Sequence, residues 1–148
     1  MLVQTLENFE ISKSLGFTVH GVGPKYRKRA ARMQPEDRIL YYVSGIRKWA
    51  VSGSITSGTF EDDEPIWKIY SKREDYRHRV KVRANTVLNE PEYIDAMLLA
   101  PRLNYVKKWI PDMWPLAFMG SLHLLPQSDF NLIEDEMRRI ISLRDKSV

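Results

Sequence analysis

Apolar and polar positions change their spacing several times along this chain, and each change marks an element. The opening "LVQTL" is short and apolar enough to start a sheet, and "ENFEISKSLG" reads as a helix of a turn or two, with Glu7 or Asn8 as its cap and Gly16 as its stop. "FTVHGVG" is extended and ends in glycines that permit close backbone approach, after which Pro24 suits the first turn of a helix. Over residues 25–33 the helical period puts Tyr26, Ala30 and Met33 on one face and Lys25, Lys28, Arg29 and Arg32 on another. Pro35 ends that run. "ILYYV" follows as a β-prone strand whose adjacent Tyr41 and Tyr42 point to opposite faces.

Further along, "KWAVSGSITSGTF" reads as one strand passing into a second, and "FEDDEP" as an acidic loop. "RHRVKVR" alternates, with Val80 and Val82 on one side and Arg79, Lys81 and Arg83 on the other, the pattern of a half-buried strand with a basic face. "EPEYIDAMLLAPRLNYVKKW" is helical in pieces broken at Pro101, "IPDMWP" is an aromatic-bearing loop, and "LAFMGSLHLLP" is a last strand bent at Gly120. Ser128 or Asp129 caps a C-terminal helix running to the end of the chain, with Phe130, Ile133, Met137, Ile140 and Ile141 facing the core. Short strands with bends and peripheral helices predict an α+β domain on a small, strongly curved sheet or barrel. The repeated strand-helix alternation of a doubly wound sheet is missing.

Composition narrows the class. The 148 residues suit one domain, and 43% hydrophobic with 28% charged residues is the balance of a folded globular protein. The absence of cysteine removes disulfides, thiolate metal sites and thiol nucleophiles together. The first residues carry no basic stretch followed by an apolar one, and no apolar run approaches the ~18 residues a bilayer span needs, so a cytoplasmic protein without a membrane partner is expected. The net charge of +4 favours an anionic partner, and the basic residues gather in stretches 25–38 and 68–83, the latter containing Arg77 and Arg79.

Known catalytic and cofactor signatures are absent: no phosphate-binding glycine loop, no dinucleotide fingerprint, no nucleophile elbow and no zinc-protease motif. No cofactor, metal or catalytic residue is therefore assigned. His20, His78 and His123 are far apart in sequence, and the acidic run Glu61, Asp62, Asp63 and Glu64 lacks the spacing of a calcium loop. The basic helix has two readings, a solvated face or a grip on phosphate. Trp49, Trp67, Trp109 and Trp114 likewise serve either as core or as stacking surfaces for a base.

Six ordered stretches, "ENFEISKSLGFTVHGV", "KYRKRAARMQPEDRILYYVSG", "FEDDEPIW", "YRHRVKV", "LAPRLNYVKKW" and "LAFMGSLHLLPQSDFNLI", resemble the EVE domain family of the PUA-like superfamily, to which YTH domains are related. The resemblance covers nearly the whole chain. It implies a PUA-like curved β-barrel of about five to seven strands flanked by helices, and a partner that is RNA or DNA, single-stranded or with a modified base flipped out. Carried over by position, the base pocket would draw on His20, Gly21 and Val22, on Tyr42, Val43 and Ser44, and on Phe118, Met119, Gly120 and Ser121. Tyr26 and Arg27 would point inward at its mouth, and Lys25, Arg27, Lys28, Arg29, Arg32, Arg77 and Arg79 would hold the backbone. The chain departs from the family where many members carry Trp, the place of His20, and in lacking an aromatic first strand. Two alternatives accompany this reading. One is hydrolysis of a modified nucleoside, as associated with ASCH-type PUA-like domains, which needs a Lys and a Glu directed into the cavity; the other is a protein-interaction domain.

Overall fold

A computed structural model describes residues 1–71 and 75–146. Lys72 and Arg73 of the basic stretch, and Ser147 and Val148 at the end of the expected C-terminal helix, lie outside the described residues.

The fold is α+β, seven strands curling into a half-barrel with helices around it. In chain order the elements are β1 (Leu2–Gln4), α1 (Leu6–Ser14), β2 (Val19–Val22), α2 (Arg27–Ala30), β3 (Arg38–Val43), β4 (Lys48–Ile55), β5 (Phe60–Glu61), β6 (His78–Val87), β7 (Ile94–Asp95), α3 (Ala96–Leu99) and α4 (Gln127–Lys146). The strands run in the order β1-β3-β4-β6-β2, with β5 beside β6 and β7 beside β4. Among the described residues only β1 and β3 pair in parallel; the other pairings are antiparallel.

Curvature enters where the register slips, between Tyr41 and Tyr42 on β3 and between Ser52 and Gly53 on β4. Such irregularities bend a strand and increase its twist. The two adjacent tyrosines do point to different surroundings, and both are buried because each face of β3 is covered. Tyr41 packs on Phe9 of α1 and on Phe17, at ring separations of 6.2 and 5.3 Å. Tyr42 packs on Trp49 and Phe118, at 5.8 and 5.1 Å.

Several local expectations are corrected. Thr5, rather than Glu7 or Asn8, caps α1 by accepting a hydrogen bond from Asn8 N–H. The basic helix is a 3₁₀ turn, Pro24–Tyr26, followed by the single α-turn of α2, yet its faces sort as expected: Ala30 is buried, and Tyr26 and Met33 pack against the core. Asp129 does not cap α4. Its carboxylate accepts the backbone N–H groups of Asn104 and Tyr105 at 2.9 and 2.8 Å, holding the 3₁₀ turn Asn104–Val106. "LAFMGSLHLLP" is not a strand: the 3₁₀ helix Pro111–Phe118 runs into it, and beyond Gly120 only an isolated Leu2–Leu122 bridge forms. The C-terminal helix buries Phe130, Ile133 and Met137 as its spacing predicts. No helix among the described residues is long and apolar enough to cross a membrane.

Candidate nucleic-acid interface

The end of β1, the first turn of α1, β2, the end of β3, residues Trp67, Tyr70 and Tyr76 and the 3₁₀ helix Pro111–Phe118 surround a cavity of about 580 Å³. That volume lies within the range of small-ligand sites. Of the expected pocket residues, His20, Gly21, Tyr42, Ser44, Phe118, Met119, Gly120 and Ser121 line it. Val22 and Val43 do not; both are buried in the core behind it. Tyr26 stands outside and accepts a hydrogen bond from Ser121 N–H at 3.0 Å.

Sequence reasoning missed one wall. Trp67, Tyr70 and Tyr76 face the cavity together with Gln4, Asn8 and Arg47. Asn8 fastens this wall to α1: its Oδ1 accepts from Lys68 N–H at 2.8 Å, and its Nδ2 donates to Lys68 O at 3.0 Å. Trp67 Nε1 and Gln4 Nε2 both donate to Ser12 Oγ, at 2.9 and 3.0 Å. The signal was present in "FEDDEPIW", but Trp67 lies in a stretch without periodicity, and nothing local tells which way it turns.

Gly21 makes that wall possible. A Cβ on it would stand 2.5 Å from Tyr76 O and 2.8 Å from the Trp67 ring, so only glycine lets Trp67 and Tyr76 lie against β2. Behind Trp67 lies Arg79, and here the expectation of an exposed phosphate contact is corrected. Arg79 is 2% exposed, its guanidinium lies 5.4 Å from the Trp67 ring centre, and it donates to the carbonyls of Tyr76 and Glu64 while pairing with Asp62 at 3.5 Å. The cause is topological: residues 62–67 leave β5, which pairs with β6 at this end, and fold across the Arg79 side chain.

The cavity is aromatic and weakly charged. Tyr42 and Phe118 are buried, whereas Tyr70 is 50% exposed, with the Lys68 ammonium 5.3 Å from its ring centre. The Tyr42 hydroxyl has no hydrogen-bond partner among the described residues, and burial raises its pKa to about 12, so it is a neutral donor at physiological pH. Burial lowers the His20 pKa to about 3, and both of its ring nitrogens lack a partner among the described residues. Gln4 Oε1 is likewise unpartnered. Arg47 is the one charged side chain among the described lining residues.

A basic cleft is built by chain neighbours of the cavity's walls. Lys25, Arg27, Lys28, Arg29 and Arg77 surround it, with His78 and Glu61 between them. Two chain segments contribute to both spaces: Gly21 lines the cavity and Pro24 the cleft, Tyr76 lines the cavity and Arg77 the cleft. Arg29 also donates to Leu122 O at 3.1 Å, and Arg32 faces a different groove beside Met33 and Phe130. The acidic run is dispersed: Glu61 lies 3.8 Å from His78, and Asp62 turns to Arg79.

No protein-family model matches the sequence. UPF0310 protein PH1033 of Pyrococcus horikoshii is 28% identical over 141 residues, covering 86% of this chain and 90% of that protein. The YTH domain of Zygosaccharomyces rouxii MRB1, solved in complex with N6-methyladenosine RNA, superposes with a TM-score of 0.63 at 20% identity, over 92% of this chain and 84% of that one. The chain is similar in fold to YTH domains. A second such structure, the YTH domain-containing protein mmi1 and RNA complex, gives a TM-score of 0.51 at 11% identity, over 96% of this chain and 78% of that one.

Proposed function

We propose that this chain is a reader of a modified nucleobase in RNA or DNA, taking a single-stranded or flipped-out base into the aromatic cavity and the neighbouring phosphates onto the basic cleft. The observation that carries the reading is the shared framework of the two spaces. The same two chain segments that give the cavity Gly21 and Tyr76 give the five-cation cleft Pro24 and Arg77, three residues on along one segment and one along the other. Stacking on aromatic faces is worth ~1–3 kcal/mol per base, and phosphate contacts supply the remainder of what offsets unstacking. The fold neighbour solved with N6-methyladenosine RNA agrees with RNA as the partner.

A hydrolytic site needs a group that takes or gives a proton near neutral pH. Among the described lining residues there is no Asp, Glu or Lys, and His20 is held neutral far below that range.

Titration of the protein with matched RNA and DNA oligonucleotides carrying N6-methyladenosine, 5-methylcytosine or no modification tests the reading. Preference for one modified strand, reduced by Tyr42→Phe and Tyr70→Ala, is expected. Equal affinity for all strands, insensitive to both substitutions, rules out a base pocket here.

A further inference from the structure

Resting on the reader function, we infer that the exposed stripe Ile110, Met113, Leu116 and Met119, with Arg47, Lys107 and Lys108 beside it, is a second binding platform, for the nucleotides flanking the recognised base in a single strand.

The stripe follows from helix type. A 3₁₀ helix has three residues per turn, so side chains three apart stand above one another. The 3₁₀ helix Pro111–Phe118, with Ile110 and Met119 as its two caps, buries Trp114, Ala117 and Phe118 and turns Ile110, Met113, Leu116 and Met119 outward. These four are 68%, 49%, 41% and 69% exposed, an unusual run of large apolar side chains left in water. At about 2 Å of rise per residue the stripe is about 18 Å long, enough for more than one nucleotide.

Two further observations select the occupant. Leu116 and Met119 belong at once to the stripe and to the wall of the base cavity, so whatever lies along the stripe continues from the cavity's occupant. Cations flank it: Lys107 and Lys108 are exposed just before Ile110, and the Arg47 guanidinium lies 5.8 Å from the Trp114 ring centre and also lines the cavity. None of the three forms an ion pair among the described residues, and Asp112 is the sole acid between Lys107 and Met119. An apolar surface with unpaired positive charge along it complements a single strand, whose bases are flat and apolar and whose backbone is anionic. None of these residues lines the cleft at α2, so the strand would be held from two separate parts of the chain, with the base cavity joining them.

The test compares a trinucleotide centred on the preferred modified base with a single strand of about ten nucleotides carrying the same base, a length within single-strand site sizes. Ile110→Ser with Met113→Ser is expected to weaken the longer strand about fivefold to tenfold and leave the trinucleotide unchanged. Lys107→Ala with Lys108→Ala is expected to lower the slope of log affinity against log salt by about 1.4 for the longer strand. Both pairs are exposed, and circular dichroism checks that they fold. If the longer strand binds both variants as it binds the wild type while Tyr70→Ala still loses the trinucleotide, the platform is wrong and the reader stands. If the wild type binds neither probe, the reader falls and the platform with it. A wild-type dimer in sedimentation that Ile110→Ser with Met113→Ser dissolves assigns the stripe to a second copy of the chain and overturns the proposal.

Discussion

Tyr26 on the basic 3₁₀ turn and Ser121 beyond the last aromatic wall are joined by one hydrogen bond, Ser121 N–H to the Tyr26 hydroxyl oxygen at 3.0 Å. The phenol reaches that atom because Gly120 lies between them without a side chain: its φ is +97°, and a Cβ there would stand 2.5 Å from the Tyr26 oxygen. The lip of the cavity and the cationic turn are therefore one mechanical unit. Tyr26→Phe removes the bond and is expected to cost about 1 kcal/mol in chemical denaturation. Gly120→Ala adds backbone strain and a clash, and is expected to cost about 1–3 kcal/mol with a larger loss of nucleic-acid affinity than Tyr26→Phe.

Gly21 is the corresponding point on the opposite wall. Gly21→Ala places a methyl group against the Tyr76 carbonyl and the Trp67 ring, and a backbone carbonyl cannot swing aside as a flexible side chain can. Overpacking of this kind costs about 1–3 kcal/mol. The expected readout is a lower denaturation midpoint together with increased exposure of Trp67 to a fluorescence quencher.

His20 makes stability depend on pH. Burial lowers its folded pKa to about 3 from an ordinary value of 6.5, so between these values the unfolded chain binds a proton that the folded chain refuses. Its contribution is complete above the unfolded value and is lost as pH falls through that window, with a slope of about 1.4 kcal/mol per pH unit for one proton. His123, also lowered by burial, adds in the same direction. Denaturation of wild type and His20→Leu between pH 4 and 7 (about the working range of such titrations) is expected to show a shallower fall for the variant. Parallel curves would mean that His20 is protonated in the fold.

Tyr42 and Tyr70 separate two kinds of recognition. Tyr42→Phe removes a hydroxyl that has no partner among the described residues, so stability is expected to change little while affinity for the preferred base falls. Tyr70→Ala removes a half-exposed face, and the expected loss is about 1–3 kcal/mol of binding energy. Its hydroxyl contacts to Thr5 and Glu7 are exposed and contribute little to folding.

Much of the frame is legible where periodicity is strong. The Val80 and Val82 alternation, the Ala30 face of α2 and the Ile133 and Met137 spacing of α4 each name a buried side that the structure bears out. Eight of the cavity-lining positions were likewise reachable from family resemblance. What stayed hidden depends on segments without a period. Trp67 reaches the cavity through Ser12 and Gly21, contacts of 55 and 46 residues' separation, and no local pattern encodes them. Arg79 alternates correctly in its strand but is buried because residues 62–67 cover that face. Alternation tells which side a residue takes, not what else packs there.

In the proposed reading one base enters the space between Gly21 and Gly120. Backbone amide shift mapping of the labelled protein, titrated with the modified trinucleotide it prefers, tests this most directly. The largest shifts are expected on Gly21, Ser44, Gly120 and Ser121, which line the cavity on three different segments. Shifts confined to the groove formed by Arg32, Leu124 and Asn131, with those four amides unmoved, would contradict it.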